Sequence, residues 1–127
     1  MISTNKQIGR RGEDLAVEFL KENGYQILEK NFSTKLGEID IIAQDHDTIS
    51  FIEVKSRTDS TRGSPLEAIT PFKRRKLSQA ALLFLKQRNL FEAKARFDVI
   101  TIEKDALGQP TISFYKDAFE LASRYGY

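Results

Sequence analysis

The chain has 127 residues, twenty basic against eighteen acidic side chains, a formal net charge of +2 and no cysteine. That length suits a single domain, 1–127, with a core of its own. Lack of cysteine excludes disulfides, thiolate metal sites and cysteine nucleophiles together and fits a reducing compartment.

Residues 5 to 23 read as a helix, with Ile8, Leu15, Ala16, Phe19 and Leu20 as its apolar stripe and Gly24 as its stop. A strand follows around YQILEKNF, then two more at about 37 to 44 and 49 to 57, joined by the polar DHDT. GSPLEAI is a loop or single turn. Thr70 before Pro71 has the form of an N-cap with proline at the first helical position. Leu77, Ala80, Ala81, Phe84 and Leu85 then recur at helical spacing to about residue 88. ARFDVITIE and PTISFYKDAF are strands around a turn at DALGQ. The order α-β-β-β-α-β-β predicts an α/β fold, a mixed central sheet flanked by helices. No apolar run approaches the ~20 residues that span a bilayer, and the N-terminus lacks the apolar core of a signal peptide. The sequence therefore reads as soluble and cytoplasmic, with no membrane partner.

The stretch GEIDIIAQDHDTISFIEVKSR places Asp40, Glu53 and Lys55 among isoleucines and valines, although a buried charge is costly unless paired or metal-bound. Side chains alternate faces along a strand. With a four-residue loop, Asp45 to Thr48, Gln44 pairs with Ile49, Asp40 lies opposite Glu53 and Glu38 opposite Lys55. All four then share a face, whereas a slip of one residue separates the acids. In the first register the Asp40 and Glu53 Cβ atoms lie ~5 Å apart. Two such carboxylates repel, and a hard cation such as Mg²⁺, with Mn²⁺ as a substitute, sits between their oxygens. Lys55 would reach the same pocket to orient or deprotonate water and offset transition-state charge. The competing reading is a half-exposed hairpin with cross-strand Glu–Lys pairs.

Basic residues cluster as Lys6, Arg10 and Arg11 and as the run Lys73, Arg74, Arg75 and Lys76. The second run lies in the first turn of a helix, where positive charge opposes the macrodipole. Either a phosphate is held there or the turn is simply solvated. Asp98 suits a structural pairing with Arg96 better than a place in the site, and His46 reads as a turn residue.

The blocks GRRGEDLAVEFLKENGYQILEKNF, GEIDIIAQDHDTISFIEVKSR, AITPFKRRKLSQAALLFL and RFDVITI together resemble the bacterial YraN family, assigned to the restriction-endonuclease-like, PD-(D/E)xK fold. They are also similar to archaeal Holliday junction resolvases. The resemblance implies Asp40 and Glu53 as metal ligands and Lys55 as catalytic lysine. It adds Glu13, in GRRGE, as the helix glutamate that completes the acidic cluster. Ile39 stands where many such nucleases have proline. Glu38 is a further acid of the YraN pattern, and Gln79 falls where related nucleases sometimes place a polar residue near the sheet.

These residues together lead to the expectation of a magnesium-dependent endonuclease acting on branched or distorted DNA. Symmetrical resolution of a junction would require a homodimer with two active sites. A different class of function would keep the nuclease fold as a non-catalytic nucleic-acid-binding or assembly module, working through Lys73 to Lys76 and indifferent to Asp40.

Overall fold

The computed structural model describes residues 5–57 and 69–119, with side chains from Arg11 onward. Most of the GSPLEAI segment and the side chains of Lys6, Ile8 and Arg10 lie outside the described residues. Helix α1 (Asn5–Glu22) precedes β1 (Gln26–Ser33), β2 (Glu38–Asp45) and β3 (Thr48–Arg57). Then come α2 (Pro71–Gln87), β4 (Lys94–Lys104) and β5 (Pro110–Phe119). The strands lie side by side in chain order. Only β3 and β4 are parallel, so they need a crossover, and α2 lies in it. Among the described residues no helix is long and apolar enough to cross a membrane.

The two helices cover opposite faces of the sheet. Ala16 and Leu20 of α1 pack with Tyr25, Ile41, Ala43, Ile52, Ile100 and Ile102. Leu77, Ala80, Ala81, Phe84 and Leu85 of α2 pack with Ile42, Ile49, Phe51, Phe97 and Val99. Covered on both sides, β3 is buried without interruption from Ile49 to Glu53, as central strands of layered α/β folds are. Phe51 lies edge-on to Phe84 at 6.0 Å and tilted against Phe97 at 5.5 Å, and Phe97 stacks on Phe119 at 4.4 Å. Gly12, on α1, permits close approach to β3, because a Cβ there would collide with Ser56 Oγ.

Local chemistry sets the helix ends. Gly24 adopts φ 85°, and the Gly24 and Tyr25 amides donate to the carbonyls of Lys21 (3.1 Å) and Leu20 (2.9 Å). That bond pair closes a helix in the left-handed glycine motif. Thr70 Oγ1 accepts from the Lys73 amide at 3.2 Å with Pro71 following, as the sequence predicts.

The hairpin pairs Gln44 with Ile49, the expected register, but pairing continues to Asp45 and Thr48. The predicted four-residue loop is therefore corrected to a two-residue turn, His46 and Asp47. His46 takes φ 56°, and Gln44 Nε2 donates to its carbonyl at 3.0 Å. These contacts leave Asp45 and Thr48 free to extend the ladder.

Candidate active site

Regular alternation breaks at one point in β2, and that point is Asp40. Residues two apart share a face of a strand, yet Ile39 packs with α2's residues and Ile41 with α1's. Ladder pairing with β3 ends at Ile41 opposite Ile52. Beyond it, Asp40 Oδ2 accepts from the Val54 amide at 2.8 Å, so a carboxylate takes a donor from the neighbouring strand's backbone. Across β1, the partners of Ile41 and Ile39 are Lys30 and Phe32. Between them Asn31 adopts φ 54°, a region that asparagine tolerates better than most side chains. Asn31 thus lies opposite Asp40, where the faces of β2 exchange.

Glu53 lies one strand over, buried at 6% exposure, and its Oε1 has no hydrogen-bond partner. Its pKa is pushed up to about 7, first by burial and then by Asp40, against the opposing pull of Lys73, Lys55 and the Asp40 amide. Asp40 is also raised, mainly by burial, although the Val54 amide, Lys55 and Lys73 favour its charge. Burial lowers Lys55, and Lys73 lowers it further, while Glu53 and Asp40 act in the other direction. Four groups therefore act on one another here: two carboxyls short of positive charge and two ammoniums from different elements.

Lys73 is the member that sequence reading assigned elsewhere, to a phosphate-binding run. Its position carried a legible signal. Residues 73, 77, 80, 81 and 84 form one stripe at helical spacing, so of the four basic residues Lys73 prolongs the buried face. The others part company. Arg74 Nε donates to the Ile69 carbonyl at 3.1 Å and its guanidinium lies over the Phe119 ring. Lys76 lies over Phe72, and Arg75 is exposed. The unfavourable macrodipole is thus offset at Lys73 by the two acids.

Glu13 of α1 is raised by burial, by Asp40 and by Glu38, and lowered by a hydrogen bond from the side chain of Asn31. It borders the pocket without completing a cage: among the described residues no three acids or histidines are arranged to hold a metal. Glu38 is exposed and acts on Asp40 and Glu13 through its charge. Gln79 is exposed, which corrects its expected place near the sheet. It lies two residues beyond Leu77, and residues so spaced do not share a helix face. Arg11 is exposed on α1, on the other side of the sheet from α2.

Asp98 is fully buried in a separate network, as its pairing with Arg96 predicts. Arg96 Nε donates to both of its oxygens at 3.1 and 2.9 Å, the Asp117 amide donates at 2.7 Å and Ser50 Oγ donates as well. Arg96 also reaches Tyr25 Oη at 2.7 Å and Asp45 at 3.3 Å. A buried charge so supplied is structurally satisfied, unlike Glu53.

The donor set at Asp40 and Glu53 fits a hard divalent cation. Mg²⁺ commonly takes only one or two protein carboxylates, the rest of its shell being water and substrate phosphate. An unpartnered buried carboxylate oxygen beside a second acid is chemistry that a cation would satisfy.

Fold and site together define a three-layer α/β protein with an acidic pair and two lysines where its central hairpin frays. Within that class, the chain belongs to the Uncharacterised protein family UPF0102, whose model matches residues 12–102. UPF0102 proteins of Geotalea daltonii and Geotalea uraniireducens are 51% and 49% identical over 118 residues, covering 93% of both chains in each case. That of Clostridium kluyveri is 46% identical over 122 residues, 95% of this chain and all of the relative. A solved structure described as "Crystal structure of SSO0001" aligns with 93% of this chain at 17% identity and a TM-score of 0.45, and the chain spans 55% of that structure.

Proposed function

We propose that this chain is a divalent-cation-dependent endonuclease that hydrolyses phosphodiesters in branched or otherwise distorted DNA. The observation that carries the reading is Glu53: a buried carboxyl with an unpartnered oxygen beside Asp40, with the charges of Lys55 and Lys73 acting on both acids. Such an arrangement is expensive in a protein that needs it only for stability.

Asp40 and Glu53 would hold Mg²⁺ or Mn²⁺, with Glu13 bordering the site. Bound there, the cation would polarise the phosphodiester and ease deprotonation of water. Lys55, its ammonium weakened by burial and by Lys73, is suited to orient that water and accept its proton. Lys73 stands ready to neutralise a phosphate once the carboxylates have another counter-ion. Arg11, Arg75 and Lys76 would position backbone without reading sequence. The preference for branched DNA rests on the resemblance to junction resolvases, and a homodimer would supply the two sites that symmetrical cutting needs.

Purified protein is incubated with labelled four-way junction, flap, duplex and single-stranded DNA, with Mg²⁺, Mn²⁺ or chelator, beside Glu53→Gln. Metal-dependent cutting that Glu53→Gln abolishes while DNA binding persists supports the proposal. Equal cutting by the variant overturns it. Metal-independent binding lost with Lys73 to Lys76, without cleavage of any substrate, would favour the binding module.

A further inference from the structure

Phe72 sits in the first turn of α2 with 62% of its surface exposed, although a ring of that size is ordinarily drawn into a core. The α2 stripe explains why it is left outside: residues 73, 77, 80, 81 and 84 face the sheet, so 72 cannot. Packing does not explain why the residue there is phenylalanine. The Lys76 ammonium lies 5.4 Å from its ring centroid, steadying one face of the ring by cation–π attraction.

Beside it runs a groove between the β1–β2 turn and α2, lined by Thr34, Lys35, Leu36, Glu38, Lys73 and Lys76 among others. Leu36, 40% exposed, is a second of the large apolar side chains left outside among the described residues. The groove walls are held close: a Cβ on Gly37 would stand 3.3 Å from the Lys76 carbonyl oxygen. Thr34 braces the turn, its Oγ1 accepting from the Leu36 and Gly37 amides at 2.9 and 3.1 Å. Lys76, which lies over Phe72, lines this groove together with Lys73 and Glu38, whose charges act on Asp40, so the groove lies between Phe72 and the acidic pair.

We infer that Phe72 is a stacking platform for an unpaired nucleobase and that the groove carries the attached backbone towards Asp40 and Glu53. An exposed aromatic ring beside a cationic channel is what single-stranded nucleic acid requires, a π-face for the base and charge for the phosphates. Lysine-rich surroundings disfavour a protein partner, whose contact surfaces are depleted in lysine. The inference deepens the endonuclease proposal and rests on it for the groove's direction. It names the feature of distorted DNA that is recognised: a base free of its stack.

The test is equilibrium binding in chelator, which separates binding from cleavage, using a fluorescent oligothymidine, an abasic strand of the same length and a blunt duplex. Wild type should prefer oligothymidine. Phe72→Ala should lose about five- to hundredfold in affinity for it and bind the abasic strand as wild type does. Phe72→Trp should keep the preference. Because the chain has no tryptophan, the indole fluorescence of that variant should be quenched by oligothymidine and not by the abasic strand. Equal affinity of wild type and Phe72→Ala for oligothymidine, no preference for bases in wild type, or binding to none of the three would each overturn the inference. Cleavage with an unaltered base preference in Phe72→Ala would overturn the inference and leave the endonuclease proposal standing. A base preference without cleavage of any substrate would do the reverse.

Discussion

Glu53→Gln should change how stability responds to pH, and the sign follows from burial. The carboxyl has an ordinary value of 4.5 and titrates near 7 in the fold, so the folded state keeps a proton that the unfolded chain has already lost. Stability is therefore fullest below about pH 4.5, declines as pH rises, and reaches its floor above 7. The interval corresponds to a loss of about 3 kcal/mol at most, and Asp40, raised for the same reason, contributes to it. Urea unfolding of the metal-free protein at pH 5 and pH 8 measures the difference. Wild type should lose stability between the two, and Glu53→Gln should lose much less. Comparing each protein with itself cancels whatever the amide costs in packing. Equal losses in both proteins would refute the reasoning, since Glu53 would then ionise as an exposed glutamate does.

Three further outcomes follow from the same geometry. Lys73→Gln removes a charge that lowers both carboxyls. It should move the Glu53 titration upward in carboxyl carbon NMR spectra, an effect that Arg75→Gln should not reproduce. Gly12→Ala places a methyl against Ser56 Oγ and should cost about 1–3 kcal/mol in urea unfolding. Ser56→Gly in the same chain should recover most of that loss. Asp98→Ala removes the buried acceptor of Arg96 Nε and the Asp117 amide while Arg96 keeps Asp45 and Tyr25, and should destabilise by about 1–3 kcal/mol, measured by the same method.

The hairpin register was legible only through the placing of its loop: centring it on residues 45 to 48 pairs Gln44 with Ile49, whereas the isoleucines, buried on both faces, fit a slipped pairing as well. The turn was less so. Asp45 and Thr48 look like loop residues, and only His46 entering the left-handed region, with Gln44 bonded to its carbonyl, extends the strands through them. Alternation also hid the exchange of faces between Ile39 and Ile41. Opposite it Asn31 takes a left-handed φ, a pairing no local pattern carries. Along α2 the position of each side chain around the axis was readable in principle. Taken as a contiguous run, Lys73 to Lys76 looked like one patch; taken at helical spacing, Lys73 belongs with Leu77 and Phe84. The same arithmetic turns Gln79 outward. Asp98 was placed correctly because Arg96, two residues away on the same strand face, is a local partner.

On the endonuclease reading, Asp40 and Glu53 are paired to receive a divalent cation. Titration calorimetry with Mn²⁺ at pH 8 tests it directly, with and without a phosphorothioate oligonucleotide that resists cleavage. Wild type should bind weakly and stoichiometrically, more tightly with the oligonucleotide, and Asp40→Asn should abolish the heat. No binding by wild type in either condition, or equal binding by Asp40→Asn, would contradict the account.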